Sequence, residues 1–344
     1  MSINAFLNTI SNSARILPIV ILYVTEGCNL KCITCSYRDA LPGELSLQEI
    51  IELAGQLHDF GLKHIVYSGG EPLLRRDFKD ICGIFKQHGV KQSLLTNGLL
   101  LEKRFNDIFE YFHEIIVSID GANAETHNRI RGISSFDRIL KGISKAVKNK
   151  KGRPVVSIRT VIQKNNFREL PGLIDLAKSN GADRISFLSA DVASNAFGRE
   201  INGAAPDEPD ISLSAVEVEK FREIVNNVII KYSGDFYSGF ISESPQKLLK
   251  LVDYYGALRG MNEFPKIFCN APMVSAVITS TGNIHPCFFI ESYGSIRKTD
   301  LEALINTDEI KQVRKDVRNF MHPRCKTCVC TMNISKKNAL FSRF

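Results

Sequence analysis

Residues 19–35 read IVILYVTEGCNLKCITC, and this stretch decides the fold that the rest of the chain is expected to adopt. Its first seven residues are mostly apolar and β-branched, which is typical of a buried strand. Three cysteines follow with the spacing C-x3-C-x2-C, namely Cys28, Cys32 and Cys35. Because thiolates in so short a loop can converge on one metal group, the stretch predicts a buried strand that ends in a metal site.

Short apolar runs alternate with helical patterns from residue 17 to about residue 188. Six such βα units predict a parallel sheet with right-handed crossovers. Six units are too few for a closed eight-fold barrel, which takes about 250 residues. We therefore expect an α/β fold, a partial (βα)6 barrel of the TIM type followed by a small C-terminal α+β domain. Functional residues in such sheets gather at the carboxyl ends of the strands.

The pattern divides the chain into three segments. Residues 1–190 hold the βα units and form the expected core domain. Residues 191–265 break the pattern with a loop and two helical stretches, and we expect them to line a substrate site. Residues 266–344 combine a hairpin, helical residues 301–318 and the remaining cysteines, and they form the expected C-terminal domain.

Composition excludes several classes of protein. The chain has 344 residues and a formal net charge of +7 at pH 7, which is compatible with an acidic protein partner and does not by itself indicate nucleic acid. Its longest apolar run, residues 16–24, is about half as long as the roughly 20 residues of a transmembrane helix. We therefore expect a cytoplasmic protein that binds neither nucleic acid nor a membrane.

The nine cysteines are grouped rather than scattered. An odd number in a chain of this size argues against a disulfide framework and favours metal sites in a reducing compartment. Cys82 stands alone in a helical pattern, where a small core residue is expected. The C-terminal group consists of Cys269, Cys287, Cys325, Cys328 and Cys330. Four thiolates from this group suit an iron–sulfur cluster or a structural zinc ion.

The cysteine loop, Gly69-Gly70-Glu71-Pro72, the run from Ser118 to Gly121, and Arg159 together resemble the radical S-adenosylmethionine (SAM) superfamily, over roughly residues 17–190. The resemblance implies that Cys28, Cys32 and Cys35 hold a [4Fe–4S] cluster with SAM on its open iron. It also implies reductive cleavage of SAM to methionine and a 5′-deoxyadenosyl radical.

The resemblance further assigns residues to SAM. Gly69, Gly70 and Glu71 would bind its amino group, and Ser118 and Asp120 would lie near its carboxylate or ribose. Leu188 would lie against adenine, whereas Thr34 departs from the family because the residue before the third cysteine is commonly aromatic. These cofactor-binding candidates are Thr34, Gly69, Gly70, Glu71, Ser118, Asp120, Arg159 and Leu188.

Arg159 is a candidate on physical grounds as well. It lies in an apolar strand pattern, and a buried arginine is costly unless it is paired. A bound carboxylate is one suitable partner, through bidentate hydrogen bonds. An internal salt bridge is the alternative.

The C-terminal cysteines resemble the Twitch domain, a short form of the SPASM domain. The resemblance implies that Cys269, Cys287, Cys325 and Cys328 hold a second, auxiliary [4Fe–4S] cluster, which would accept electrons after hydrogen abstraction. Cys330 is left over, and it would either replace Cys325 or Cys328 as a ligand or lie beside the cluster.

The expected function is that of a radical SAM oxidoreductase that abstracts hydrogen from an unknown substrate, with a sugar or aminocyclitol-like molecule as the first hypothesis. Asp191, Asn195 and Arg199 are the candidate substrate contacts, and a solvated loop is the alternative interpretation. A flavodoxin or ferredoxin is the expected reductant. Two alternatives remain open, a peptide-modifying radical SAM/SPASM maturase and a non-catalytic iron–sulfur carrier or redox sensor.

Overall fold

The computed structural model describes residues 3–150, 152–199, 211–330, 332, 334 and 335. Its strands are β1 Ile19–Thr25, β2 His64–Gly69, β3 Lys91–Thr96, β4 Glu114–Ser118, β5 Val155–Ile162, β6 Arg184–Ser189, β7 Ser275–Ile278, β8 Asn283–His285 and β9 Gly294–Ser295. Its helices are α1 Ile3–Ile10, α2 Leu47–Asp59, α3 Phe78–Gln87, α4 Leu101–Ile108, α5 Ala124–Arg131, α6 Phe136–Asn149, α7 Leu170–Ser179, α8 Ala215–Lys231, α9 Ser233–Tyr237, α10 Pro245–Leu258, α11 Ala271–Val274, α12 Leu301–Ile305, α13 Asp308–Arg318 and α14 Pro323–Lys326.

Strands β1 to β6 form a parallel sheet in chain order, with β1 next to β2 and so on to β6. Each strand is followed by at least one helix, as βα crossovers require. The barrel is not closed, because among the described strands β6 pairs with β5 alone and β1 pairs on its other side with β7. The predicted α/β fold with a partial barrel is confirmed.

The C-terminal strands extend this sheet. Residues Ile19 to Leu22 of β1 pair in parallel with residues Ser275 to Ile278 of β7. Strands β8 and β9 then add antiparallel pairs, and the predicted hairpin turns at Gly282, where φ is +86°. One sheet of nine strands therefore carries both cysteine-rich regions.

Local sequence signals explain most helix starts. Ser46 and Glu49 form a capping box at α2, as the sequence Ser46-Leu47-Gln48-Glu49 indicates. Residues 301–318, expected as one helix, form α12 and α13 instead. The Thr307 side chain accepts a hydrogen bond from the backbone N–H of Ile310, so a new helix begins there.

All seven residues of β1 are buried, so the strand that leads into the first cysteine loop is fixed by neighbours on both faces. The carboxyl ends of β1 to β6 lie at one edge, as in any parallel sheet. Within the described residues, no helix combines the length and the apolar character needed to cross a bilayer.

Candidate active site

The first cysteine loop leaves the carboxyl end of β1 and is tied down by backbone hydrogen bonds. Lys31 N–H and Ile33 N–H donate to the carbonyls of Arg131 and Ile130, each at 3.0 Å. The thiols of Cys28, Cys32 and Cys35 are half-buried and close enough for their charges to interact. The structure thus brings the three predicted ligands together at the strand edge.

Arg131, which the sequence interpretation missed, is the charged partner of this loop. Its Nη1 lies 3.7 Å from the Cys32 sulfur, and its Nη2 lies 2.7 Å from a carboxylate oxygen of Asp120. Asp120, predicted to contact SAM, also accepts a hydrogen bond from Val161 N–H at 2.8 Å. The pair therefore places a donor beside a thiol while keeping the buried guanidinium neutralised.

The Gly69-Gly70 pair allows the end of β2 to lie very close to the backbone of residues 25–27. A Cβ on Gly69 would lie 2.3 Å from the carbonyl oxygen of Thr25, and one on Gly70 would lie 2.2 Å from that of Gly27. Gly69 also has φ of +103°, which favours glycine. These glycines pack the end of β2 against the backbone just before Cys28.

Glu71 is fully buried and braces two strand ends. Its carboxylate accepts hydrogen bonds from Leu73 N–H, the Thr96 hydroxyl and Asn97 N–H at 3.0, 2.8 and 2.7 Å. Asn97 Nδ2 in turn lies 3.9 Å from the Cys28 sulfur. Burial raises the pKa of Glu71 to about 7, and the three donors oppose that shift. Its predicted role at the SAM amino group stays a prediction.

Ser118 and Arg159 lie side by side, because their residues are partners in the β4–β5 register. Arg159 is half-buried, and its Nε donates to the Ser186 hydroxyl at 3.2 Å on β6. Burial raises the pKa of the nearby Glu243, and the charge of Arg159 opposes that rise. The three polar residues form a row across β4, β5 and β6, where a polar ligand group would find partners.

Leu188 and Thr34 are both half-buried. Leu188 lies near the carboxyl end of β6, and Thr34 lies within the cysteine loop. Their predicted contacts with adenine stay predictions.

The five C-terminal thiols line one cavity of about 60 Å³. The sulfurs of Cys269, Cys287 and Cys328 each accept a backbone N–H at 3.4 to 3.5 Å, from Ala271, Phe289 and Cys330. Backbone N–H groups directed at sulfur suit thiolate ligands of an iron–sulfur cluster. The donor set thus fits a four-thiolate cluster and leaves one thiol over.

Burial dominates the acidity of these thiols. It raises the pKa of Cys325 to about 11 and that of Cys287 to about 12, and it raises the pKa of Cys330 as well. Ionisation at neutral pH therefore needs a bound cationic group. Among the described residues, no group of three or more Cys, His, Asp or Glu side chains converges on a single metal ion.

The predicted substrate contacts divide in two. Asp191 and Arg199 pair with each other, and Ser194 donates a further hydrogen bond to the Asp191 carboxylate. Asn195 instead lines a second cavity, of about 90 Å³. The ion pair therefore holds the turn after β6 in shape, while Asn195 belongs to the lining of the second cavity.

This second cavity lies between the two thiol regions. Tyr37, two residues beyond Cys35, lines one side, and Cys287 lines the other. Ser36 N–H donates to the Phe197 carbonyl at 2.9 Å, so the turn after β6 closes the cavity against the first loop. Sequence reasoning missed its aromatic lining, because the rings come from four separate segments.

Comparisons with known families agree with these two regions. Residues 22–177 match the family model described as the Radical SAM superfamily. Residues 269–329 match the model described as SPASM, an iron–sulfur cluster-binding domain. The two domains imply [4Fe–4S] clusters and SAM.

Curated relatives align with about half of this chain. The Fe-coproporphyrin III synthase of Methanosarcina barkeri is 32% identical over 179 residues, 49% of this chain and 43% of that protein. The AdoMet-dependent heme synthase of the same organism is 36% identical over 165 residues, 46% of each chain. The chain thus spans less than half the length of these relatives.

The solved structure of SuiB from Streptococcus suis superimposes with a TM-score of 0.64 at 19% sequence identity, covering 88% of this chain and 69% of SuiB. At that identity the likeness shows the fold alone. The fold therefore extends through both the barrel and the C-terminal strands.

Proposed function

Because residues 22–177 belong to the radical SAM superfamily and residues 269–329 to the SPASM cluster-binding family, we propose that the chain cleaves SAM and abstracts a hydrogen atom from a substrate carbon. The grouping of Cys28, Cys32 and Cys35 at the strand edge carries this proposal. Three thiolates leave one iron of a four-iron cluster open to an exogenous ligand. When bound, the cluster supplies the electron that splits the sulfonium bond of SAM into methionine and a 5′-deoxyadenosyl radical.

The protein's own residues bind and orient SAM. The Ser118–Arg159–Ser186 row offers hydroxyls and a guanidinium to its polar groups. Arg131 donates to Cys32 and forms an ion pair with Asp120, which fixes the position of its guanidinium beside the loop. Glu71 and Asn97 fix the ends of β2 and β3 beside Cys28.

The aromatic cavity between the thiol regions is the proposed substrate site. Asn195 lines it, as expected for a substrate contact, whereas Asp191 and Arg199 support its wall. Of the two substrate classes that the sequence favours, the aromatic lining supports a peptide or other ring-bearing molecule over a sugar or aminocyclitol. A cyclitol has no flat π face with which to pack against these rings.

The C-terminal thiols would hold the auxiliary cluster that removes an electron after hydrogen abstraction. A flavodoxin or ferredoxin is the proposed reductant, and the net charge of +7 suits docking of an acidic protein. A non-catalytic electron carrier is the second candidate, and the open-iron loop argues against it.

Release of 5′-deoxyadenosine tests the proposal. Anaerobically reconstituted protein is given dithionite and SAM, and the products are separated by chromatography. We expect protein-dependent 5′-deoxyadenosine and methionine, and we expect none from Cys28→Ala, Cys32→Ala or Cys35→Ala. Cys82→Ala, which removes a buried core thiol of helix α3, is the control and should retain cleavage.

Normal cleavage in any of the three loop variants would overturn the assignment. Cys269→Ala should keep some cleavage and lose product formation, since its thiol belongs to the second site. Full product formation in that variant would leave the C-terminal thiols with a structural role only.

A further inference from the structure

The cavity of about 90 Å³ between the thiol regions is lined by five aromatic rings that touch in sequence. Tyr37 contacts Tyr23, Tyr23 contacts Phe288, and Phe288 contacts Phe197 and Phe289, with neighbouring ring centroids 6.1 to 6.3 Å apart. These separations are those of edge-to-face and offset aromatic pairs. The rings therefore present both faces and edges to the enclosed space.

Some polar side chains around this space already have partners within the protein. The rings of Tyr23 and Tyr37 meet edge to face with their centroids 6.1 Å apart. Burial raises the pKa of both hydroxyls, and Tyr37 adds to the rise at Tyr23 whereas Tyr23 opposes it at Tyr37. Among the described lining residues Glu291 is the one carboxylate, and it lies 3.6 Å from Arg324. His285 Nδ1 lies 3.1 Å from the carbonyl oxygen of Ile290. A ligand group that binds Glu291 or His285 would have to compete with these partners.

Phe197 carries backbone strain at this site. Its φ is +63°, in the left-handed region that costs a non-glycine residue roughly 1–2 kcal/mol. The Phe197 carbonyl accepts the Ser36 N–H at 2.9 Å, so the strained residue closes the space against the first cysteine loop. Strain of this kind persists where surrounding structure imposes it, commonly at ligand sites.

We propose that this cavity receives an aromatic ring of the substrate, held by Tyr23, Tyr37, Phe197, Phe288 and Phe289. The proposal rests on the proposed function, because it takes the space between the thiol regions as the substrate site. The ring packs edge-to-face and offset against the five side chains, as they pack against one another. Its source is either a peptide side chain or a small aromatic molecule.

The size of the cavity limits the occupant to one planar aromatic group. An apolar cavity of about 150 Å³ encloses benzene. This space of about 90 Å³ is smaller and open on one side, so it holds part of the group while the rest projects from it. A macrocycle such as a tetrapyrrole does not fit. A cyclohexane polyol of similar size would meet the polar side chains of the lining, but it offers no flat π face to the five aromatic rings.

Binding of N-acetyl-L-tryptophanamide to the reconstituted, SAM-loaded protein tests this without any turnover. The chain contains no tryptophan, so indole emission excited near 295 nm comes from the probe alone. We expect saturable quenching that N-acetyl-L-tyrosinamide reverses and that myo-inositol and N-acetyl-L-leucinamide do not reverse. Reversal by p-cresol as well identifies a free aromatic ring as sufficient, whereas reversal by the amides alone identifies a peptide side chain.

Phe197→Leu and Phe289→Leu should each weaken the probe's affinity about threefold to tenfold. Phe109→Leu is the matched control, because Phe109 stacks on Phe105 at the end of α4 and should not alter binding. Equal reversal by myo-inositol, or no saturable quenching in iron-loaded protein, would overturn the proposal. Binding without release of 5′-deoxyadenosine would instead overturn the proposed function and leave the aromatic preference standing.

Discussion

A single guanidinium places a positive charge beside the thiols of the first cysteine loop. Arg131 lies beside the Cys32 sulfur at 3.7 Å, and its charge interacts with both Cys32 and Cys35. Asp120 keeps this buried charge paired at 2.7 Å. A hydrogen-bond donor on a cluster sulfur stabilises the reduced, more negative state and so raises the reduction potential.

Replacing both members of the pair, Arg131→Met with Asp120→Asn, removes the donor without leaving a buried charge alone. We expect the potential of the first cluster to fall by on the order of 50–100 mV, the equivalent of one hydrogen bond to a charged group. A redox titration followed by electron paramagnetic resonance measures it. Arg129→Met, an exposed change on the same helix, is the control, and an equal shift in both proteins would contradict the role of Arg131.

Glu71 provides a prediction about pH. Burial raises its pKa from 4.5 to about 7 in the folded state, so the protonated form is favoured on folding. Its contribution to stability is therefore fully present below about pH 4.5 and is lost as the pH rises through 7.

Glu71→Gln abolishes this titration. The stability advantage of the native protein over the variant should shrink by up to about 1.4 kcal/mol per pH unit between pH 5 and 7. Urea denaturation of the metal-free proteins at pH 5, 6, 7 and 8 measures it, with the exposed Glu52→Gln as control. An advantage that grows with pH would mean that the three donors to Glu71 outweigh its burial.

Residue spacing predicts the ligands of the first loop and cannot predict their partner. Cys28, Cys32 and Cys35 lie within one short motif, and the structure groups them. Arg131 reaches Cys32 across 99 residues, and the basic run that contains it looks like any solvated helix end. The aromatic lining is hidden for the same reason, because its rings become neighbours only in the folded sheet.

At the scale of elements, the C-terminal end of α5 packs against the first cysteine loop. Gly132 has φ of +75°, and a Cβ there would lie 2.2 Å from the Lys31 carbonyl oxygen. Arg131 and Ile130 accept backbone hydrogen bonds from the loop just before this glycine. The helix end thus sets the position of the thiols.

Gly132→Ala should therefore displace the loop. Gly89→Ala is a matched control, since Gly89 also follows a helix with φ of +66° and nothing lies within 4 Å of an added Cβ. The control should cost roughly 1 kcal/mol for its left-handed backbone, whereas Gly132→Ala should cost more and reduce iron bound at the first site. Equal stability and iron content in the two variants would show that the close contact between Gly132 and Lys31 does not position the loop.

Elements with strong apolar periodicity are predictable, and weakly apolar ones are not. Strand β5 and helices α3 and α7 coincide with apolar, regularly patterned stretches of the sequence: residues 155–162, 78–87 and 170–179. Helix α5 was not predicted, because its sequence AETHNRIR has almost no apolar periodicity and starts from the Asn123 side chain, which caps Thr126 N–H.

At the scale of the whole molecule, the barrel and the C-terminal strands share one sheet. Val20 and Ala276, partners in the β1–β7 ladder, are both buried. We expect a chain ended after residue 265 to aggregate, because the edge of β1 and its apolar neighbours would be exposed. Size-exclusion chromatography measures this.

A variant of the 344-residue chain tests whether strand pairing or the bound cluster prevents aggregation. It carries four substitutions, Cys269→Ala, Cys287→Ala, Cys325→Ala and Cys328→Ala. It removes the thiols and keeps the strands, so it should remain monodisperse if strand pairing is what protects β1. Aggregation of this variant to the same extent would assign the stabilisation to the cluster instead.

The sequence predicts the six parallel strands and not the continuity of the sheet. Repeated βα units are a local pattern, whereas the pairing of Ile19 with Ser275 joins distant parts of the chain and leaves no local signal. Residues 266–344 therefore look like a separate domain in the sequence, although β7 to β9 prolong the barrel sheet.

The shared sheet also fixes the separation of the two thiol regions. Strand β1 leads into the first cysteine loop, and its neighbour β7 leads through β8 to Cys287. Both regions are therefore attached to adjacent hydrogen-bonded strands. The width between them changes only if the backbone ladder itself deforms. A fixed separation limits the thickness of a molecule that fits between the two regions. Substitutions of side chains change the lining of this gap and leave the strand spacing unchanged.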